Sequence, residues 1–277
     1  MSDHSERLAR SLDTLRGLSV GDALGESLSY RFYDVRQGLD FSLFEDGGLS
    51  YTDDTAMAIT IVESLNLMRT IDEEALAYRF ARGYRAEPDR GYGRMARRIL
   101  EEISLGEDWK KVSSAAFGGG SFGNGAAMRV APLGAYFADE PDRIRPTAEA
   151  SARVTHFHPE GMAGAVAVAA AAGAAWRNRT QNLAAAADQI WESAMSELDP
   201  SLQLTRELKR AREFDPNTNP IEVAREVGNG VEISAQDTVP FCIWNAARNL
   251  DSFEEAIIST IEVGVAALAA PLSDLLA

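Results

Sequence analysis

Three polar islands in this chain carry residue types that could do chemistry. The first is Tyr51-Thr-Asp-Asp-Thr-Ala-Met57, where two adjacent carboxylates are flanked by hydroxyls. Ser, Thr and Asp are good helix N-caps, and acids in a first helical turn complement the helix dipole. One cap would meet that need, and four oxygen-bearing residues in a row exceed it. Hard oxygens so clustered suit Mg²⁺ or Mn²⁺. Thr52, Asp53 and Asp54 are therefore candidate metal ligands beside their reading as a cap.

The second island, Gly118 to Arg129, places Gly118, Gly119, Gly120, Gly123 and Gly125, five of 22 glycines, within eight positions. Glycine reaches backbone angles closed to other residues and puts no Cβ between the chain and a ligand. Gly118-x-Gly120-x-x-Gly123 formally matches the dinucleotide fingerprint, but that reading needs a strand before it. Here Lys110 to Phe117 reads as helix, and no Gly-Lys-Ser/Thr makes a P-loop. What remains, beside a plain connection, is a ligand loop entering a helix near Ala126, whose first amides would favour an anion such as a pyrophosphate.

The third island is Thr155-His156-Phe157-His158, which holds two of the three histidines. Their i, i+2 spacing argues against a zinc pair on one helix face. Pro159-Glu160 opens an alanine-rich helix with Thr155 or His158 near its cap, so His156 reads as structural or ligand-contacting. Finally, Gly21-Asp-Ala-Leu-Gly-Glu-Ser27 interrupts the end of the first helix. Asp22 and Glu26 would share a face if that helix continued. Glu26 is a candidate site carboxylate, while Asp22 reads as a hydrogen-bonding structural acid.

The elements that must position these islands are helices. Leu8, Leu12, Leu15 and Leu18 form one apolar stripe, and Met57, Ile61, Val62 and Leu65 another. Leu76, Phe80 and Tyr84 mark a helix ending before Pro88. Further helices are expected at about 141–154, 160–177, 181–197, 200–213, 220–227, 236–249 and 252–263, with Val231-Glu-Ile233 the one short strand candidate. Ala163 to Ala175 is small enough for neighbouring helices to approach closely. The expectation is a single all-α domain over residues 1–277.

Asp plus Glu number 42 against 27 Lys plus Arg, a formal charge of -15 that repels polyanions. Nucleic acid and anionic membranes are therefore not expected partners. Cys242, the lone cysteine, sits between Phe241 and Ile243 as a small hydrophobe, so no disulfide framework exists. The polar N-terminus lacks signal-peptide order, and the apolar run Gly161–Trp176 is too short for a bilayer. A cytoplasmic protein is expected.

The islands occur in one order: Gly21-Asp-Ala-Leu-Gly25, Thr52-Asp-Asp-Thr55, Gly123-Asn-Gly-Ala-Ala-Met-Arg-Val-Ala-Pro-Leu-Gly134 and Thr155-His-Phe-His-Pro-Glu-Gly161. That ordered set resembles the ADP-ribosylglycohydrolase family over roughly residues 10–175, and the likeness resumes at Ala235-Gln-Asp-Thr-Val-Pro240. The resemblance implies a multi-helix fold with two Mg²⁺ ions at the bottom of a cleft. It also implies hydrolysis of a glycosidic bond at the distal ribose of ADP-ribose carried by a protein or small molecule. Carried over, Thr52, Asp53 and Asp54 look like the first half of the metal site. Gly123, Asn124, Gly125, Ala127 and Met128 resemble the loop that wraps the ribose and phosphates, and His156 resembles the histidine lining the same cleft. In such a site Mg²⁺ can orient hydroxyls and acidify a water whose proton a carboxylate takes, a role that falls here to Asp53 and Glu26.

Two departures stand out. Many members place a glutamate seven residues after the aspartate of the first motif, where this chain has Ser29 and its nearest glutamate is Glu26. The family's second acidic motif, Gly-Asp-x-Asp-Thr, follows a helix like Asp251 to Gly264, but here Val263-Gly264 runs into Val265-Ala-Ala-Leu268. One metal half-site is then visible, and a catalytically impaired ADP-ribose-binding protein stands as the alternative to a hydrolase. A purely structural helical protein is the third reading.

Overall fold

A computed structural model describes residues 3–29, 49–196 and 198–264. Thirteen α-helices occur among them: α1 (His4–Ser29), α2 (Asp53–Met68), α3 (Glu73–Ala86), α4 (Arg94–Ser104), α5 (Trp109–Ala115), α6 (Ala131–Tyr136) and α7 (Ile144–Arg153), then α8 (Pro159–Asn178), α9 (Leu183–Met195), α10 (Gln203–Arg212), α11 (Pro220–Val227), α12 (Ala235–Arg248) and α13 (Phe253–Glu262). The fold is all-α. The segment after Gly264 and the side chain of Ser29 lie outside the described residues.

Local signals account for most of the helix ends. Asp72 caps α3 by accepting from the Ala75 amide at 2.8 Å, and Asn182 caps α9 through the Ala185 amide. Asn219 and Pro220 open α11, and Gly228 closes it at φ 107, a left-handed conformation that glycine adopts without a Cβ penalty. His158 caps α8, its Nδ1 accepting from the Glu160 amide.

Three expectations are corrected and one helix is added. The first helix is not interrupted at Gly21: α1 runs unbroken to Ser29 because Gly21 to Gly25 are packed on all sides. No helix starts at Ala126. A 3-10 turn spans Asn124–Ala126, and α6, only six residues long, begins at Ala131, so the glycine loop does not run on into a long helix. Val231-Glu-Ile233 is no strand, because Asp237 in the first turn of α12 draws in the amides of Asn229 and Glu232 and folds the segment back. All that remains of pairing among the described residues is one antiparallel bridge between Gly123 and Ser234. Helix α4 was not anticipated, although Ile99, Leu100 and Ile103 give it a buried apolar face.

Helix α8 is the centre of the molecule and packs against α6, α7, α9 and α12. Its small residues permit this. A Cβ added at Gly134 of α6 would stand 2.0 Å from the Ala169 carbonyl oxygen, and one at Gly173 would stand 2.7 Å from Ile144. Around it one apolar cluster takes in Ile61, Leu76, Phe80, Leu100, Leu133 and Phe241. Such packing lets the islands be carried by a rigid frame. Among the described residues no helix is long and apolar enough to cross a membrane.

Candidate active site

The N-terminus of α2, the glycine loop and His156 converge on one cleft of about 710 Å³. Glu26, Thr52, Asp53, Asp54, Gly123, Asn124, Gly125, Met128 and His156 all line it. Ala127 does not: it is fully buried behind the wall, where its amide bonds to the Asn124 carbonyl.

The floor is built by a cap supplied from another helix. Asp22, buried on α1, accepts from the Thr52 amide (2.8 Å), the Thr52 hydroxyl (2.6 Å), the Thr55 amide (3.2 Å) and the Thr55 hydroxyl (2.6 Å). Thr52 occupies the N-cap position but makes no side-chain cap bond of its own. Asp53 and Asp54, in the first turn, are therefore not needed as caps.

Neither carboxylate accepts a hydrogen bond from another residue's side chain within the described region. Burial, with the negative charge of Asp22, raises the Asp53 carboxyl to about 6, and it lifts Asp54 well above the usual carboxylate range with Asp22 and Asp53 adding to the effect. Glu26, exposed one turn beyond Asp22, adds further negative charge near Asp54. Negative charges crowded without side-chain donors are what a bound cation would relieve. The hard-oxygen donor set fits Mg²⁺ or Mn²⁺. Among the described residues, however, no group of three or more His, Cys, Asp or Glu converges to hold a metal. Two carboxylates and the Thr52 oxygen are what this wall could offer.

Opposite, the glycine loop is pinned to the start of α12. The Asn124 amide donates to the Ile233 carbonyl (3.1 Å), the Ala235 amide to the Phe122 carbonyl (3.0 Å), and the Asn124 side chain to the Thr238 hydroxyl (3.2 Å). Gly120, at φ 94, leaves room for the His158 amide only 2.4 Å from where a Cβ would be. Gly125 has a different reason for being glycine than ligand approach. Its absent Cβ points at the His156 ring, 2.7 Å from Cε1, rather than into open cleft.

His156 is buried, and desolvation with the nearby Arg129 charge lowers it to about 3, so the ring is neutral. Its Nδ1 lies 2.8 Å from the Thr155 hydroxyl, and Nε2 has no partner among the described residues. Arg129 is the group that sequence reasoning missed. It is buried, it lines the cleft, and it donates to the Ser151 carbonyl and the Thr155 hydroxyl, both at 2.9 Å, with its guanidinium 4.4 Å over the Phe80 ring. Its place inside the motif Met128-Arg129-Val130, apolar on both sides, was the available signal.

The rim is apolar. Phe117 (62 % exposed), Phe122 (42 %) and Ile233 (68 %) all line the cleft, with the two phenyl rings 6.3 Å apart. Phe117 and Ile233 also hold left-handed backbones, at φ 50 and 56. For a β-branched residue that is a costly conformation, and such strain concentrates at ligand sites.

The chain is similar over most of its length to known proteins of one family. A family model described as ADP-ribosylglycohydrolase matches residues 3–267. The human protein named ADP-ribosylhydrolase ARH3 is 30% identical over 300 residues, spanning 92% of this chain and 82% of that protein. An ADP-ribosyl-dinitrogen reductase glycohydrolase of Rhodospirillum rubrum is 30% identical over 158 residues, 54% of this chain and 52% of that one. A solved structure titled ADP-ribosylglycohydrolase-related protein complex superposes with a TM-score of 0.64 at 26% identity, covering 98% of this chain and 88% of that chain.

Proposed function

This chain belongs to the ADP-ribosylglycohydrolase family of hydrolases, and from that premise we propose that it binds ADP-ribose in the cleft and, with Mg²⁺, hydrolyses the glycosidic bond joining it to a protein or small-molecule carrier. The observation that carries this reading is the pair Asp53 and Asp54, which accept from no other residue's side chain among the described residues and face the glycine loop across one cleft. Bound at that pair, Mg²⁺ would supply the positive charge that orients ribose hydroxyls and acidifies a water. The Asp53 carboxyl, raised to about 6 by burial and Asp22, would be held charged by a bound cation, and Glu26 on the same cleft wall is the carboxylate left to take the water's proton. The loop from Gly123 to Gly125 is held by Ser121, Ile233 and Thr238, which take the Gly123 and Asn124 amides and one Asn124 side-chain proton. It turns the Gly125 amide and the rest of the Asn124 side chain to ribose and phosphate oxygens. Phe122 at the rim presents a flat apolar face suited to an adenine base. We read the thirteen helices as one domain and place the protein in the cytoplasm, consistent with its single buried cysteine.

The test is release of ADP-ribose from an ADP-ribosylated protein, followed chromatographically with Mg²⁺ and with chelator. Mg²⁺-dependent release that Asp53→Ala abolishes supports the reading, whereas release independent of both the metal and Asp53 defeats it. A binder with impaired catalysis is the second reading, favoured by the absence of a three-carboxylate group among the described residues. It predicts that ADP-ribose binds calorimetrically while no release occurs.

A further inference from the structure

Arg129, Thr155 and His156 form a buried chain of hydrogen bonds that ends at the cleft. The Arg129 guanidinium carries only donors, so the Thr155 oxygen accepts from its Nη2 at 2.9 Å. Thr155 is fully buried, and its single hydroxyl proton has no acceptor among the described residues other than His156 Nδ1, 2.8 Å away. The reverse arrangement, with Nδ1 protonated and donating to Thr155, would leave a buried hydroxyl proton unpaired beside a guanidinium. A doubly protonated ring is opposed by burial and by the Arg129 charge. The far edge of the ring faces Gly123 and Gly125 and lines the cleft, and Nε2 has no hydrogen-bond partner among the described residues.

We propose that Arg129 and Thr155 are positioning residues that hold His156 neutral and protonated on Nε2, so that the ring offers the cleft a hydrogen-bond donor and not a base. Its partner is then an acceptor oxygen of the ligand, a ribose hydroxyl or a phosphate oxygen. The identity of that oxygen rests on the ADP-ribose reading, while the tautomer does not. Glycines at 123 and 125 complete the arrangement, because a Cβ at either would press on the ring edge.

Long-range proton–nitrogen spectra of ¹⁵N-labelled protein report which ring nitrogen is protonated, and the chain has only three histidines to assign. Signals of His156 are identified by their loss in His156→Gln. In the unsubstituted protein we expect a bare Nδ1 and a protonated Nε2. Thr155→Ser should retain this pattern and the ADP-ribose affinity. Thr155→Val should mix the tautomers and weaken ADP-ribose binding about tenfold, the worth of one neutral hydrogen bond. A protonated Nδ1 in the unsubstituted protein overturns the proposal, and that spectrum decides even if Thr155→Val does not fold. Unchanged tautomer or unchanged affinity in a folded Thr155→Val also overturns it. If the tautomer is as expected but ADP-ribose does not bind the unsubstituted protein, the ligand reading fails and the positioning role stands.

Discussion

Replacing Asp22 by alanine tests whether the floor of the cleft is held from α1. The substitution removes the acceptor of four hydrogen bonds, two from the backbone amides of Thr52 and Thr55 and two from their hydroxyls. The hydroxyls can rotate toward other acceptors, but the amides belong to the first turn of α2 and have no intrahelical partner. Leaving two such amides unsatisfied costs about 3–4 kcal/mol, at roughly 1.5–2 each. Against this, loss of the Asp22 charge relieves its repulsion of Asp53 and Asp54, worth about 1 kcal/mol at the high effective dielectric of a solvent-lined cleft. The net expectation is a loss of about 2–3 kcal/mol, read as a lower urea midpoint at unchanged slope. Asp22→Asn is the control. An amide oxygen in the place of Oδ2 keeps three of the four acceptor contacts, so its loss should be about 1 kcal/mol. ADP-ribose release should fall with Asp22→Ala in the still-folded fraction, because Asp53 and Asp54 ride on the turn that frays. Asp22→Ala as stable as the unsubstituted protein would refute the reasoning and return the cap of α2 to Thr52.

Gly125→Ala has no left-handed backbone to strain, so its cost is the displacement of His156. We expect a loss of about 1–2 kcal/mol and roughly tenfold weaker ADP-ribose binding by calorimetry, and unaltered affinity would show that the ring is free to move. His156, held at about 3 against an unfolded value of about 6.5, contributes stability that is present above pH 6.5 and lost as the pH falls from there toward 3. Urea midpoints should therefore drop between pH 7.5 and pH 5 more in the unsubstituted protein than in His156→Gln, and equal slopes would contradict a buried neutral ring. Gly134→Ala places a Cβ 2.0 Å from the Ala169 carbonyl oxygen, forcing α6 and α8 apart at a cost of about 3 kcal/mol. Thermal unfolding checks it, and a melting temperature equal to that of the unsubstituted protein would mean that the two helices are not locked.

The sequence by itself determined the helical class, because stripes such as Met57, Ile61, Val62 and Leu65 need no partner to be read. It also determined helix ends written in local chemistry, as at Asn219-Pro220 and Gly228. The ordered islands carried the family, and their residue types pointed to the chemistry. Tertiary structure decided what each polar group is occupied with. Asp22 and Thr52 are 30 residues apart, so no local pattern shows that the α2 cap comes from α1 and leaves Asp53 and Asp54 without a capping task. The glycine at 125 looked like an opening for a ligand, yet the ring it accommodates lies 31 positions on. Arg129, set between Met128 and Val130, has an apolar neighbourhood along the chain but no partner that the sequence shows. Only folding buries it over Phe80 and hands its donors to Ser151 and Thr155. Hydrogen bonds and burial depend on which distant segments meet, and a one-dimensional pattern records only what neighbours along the chain can do for each other.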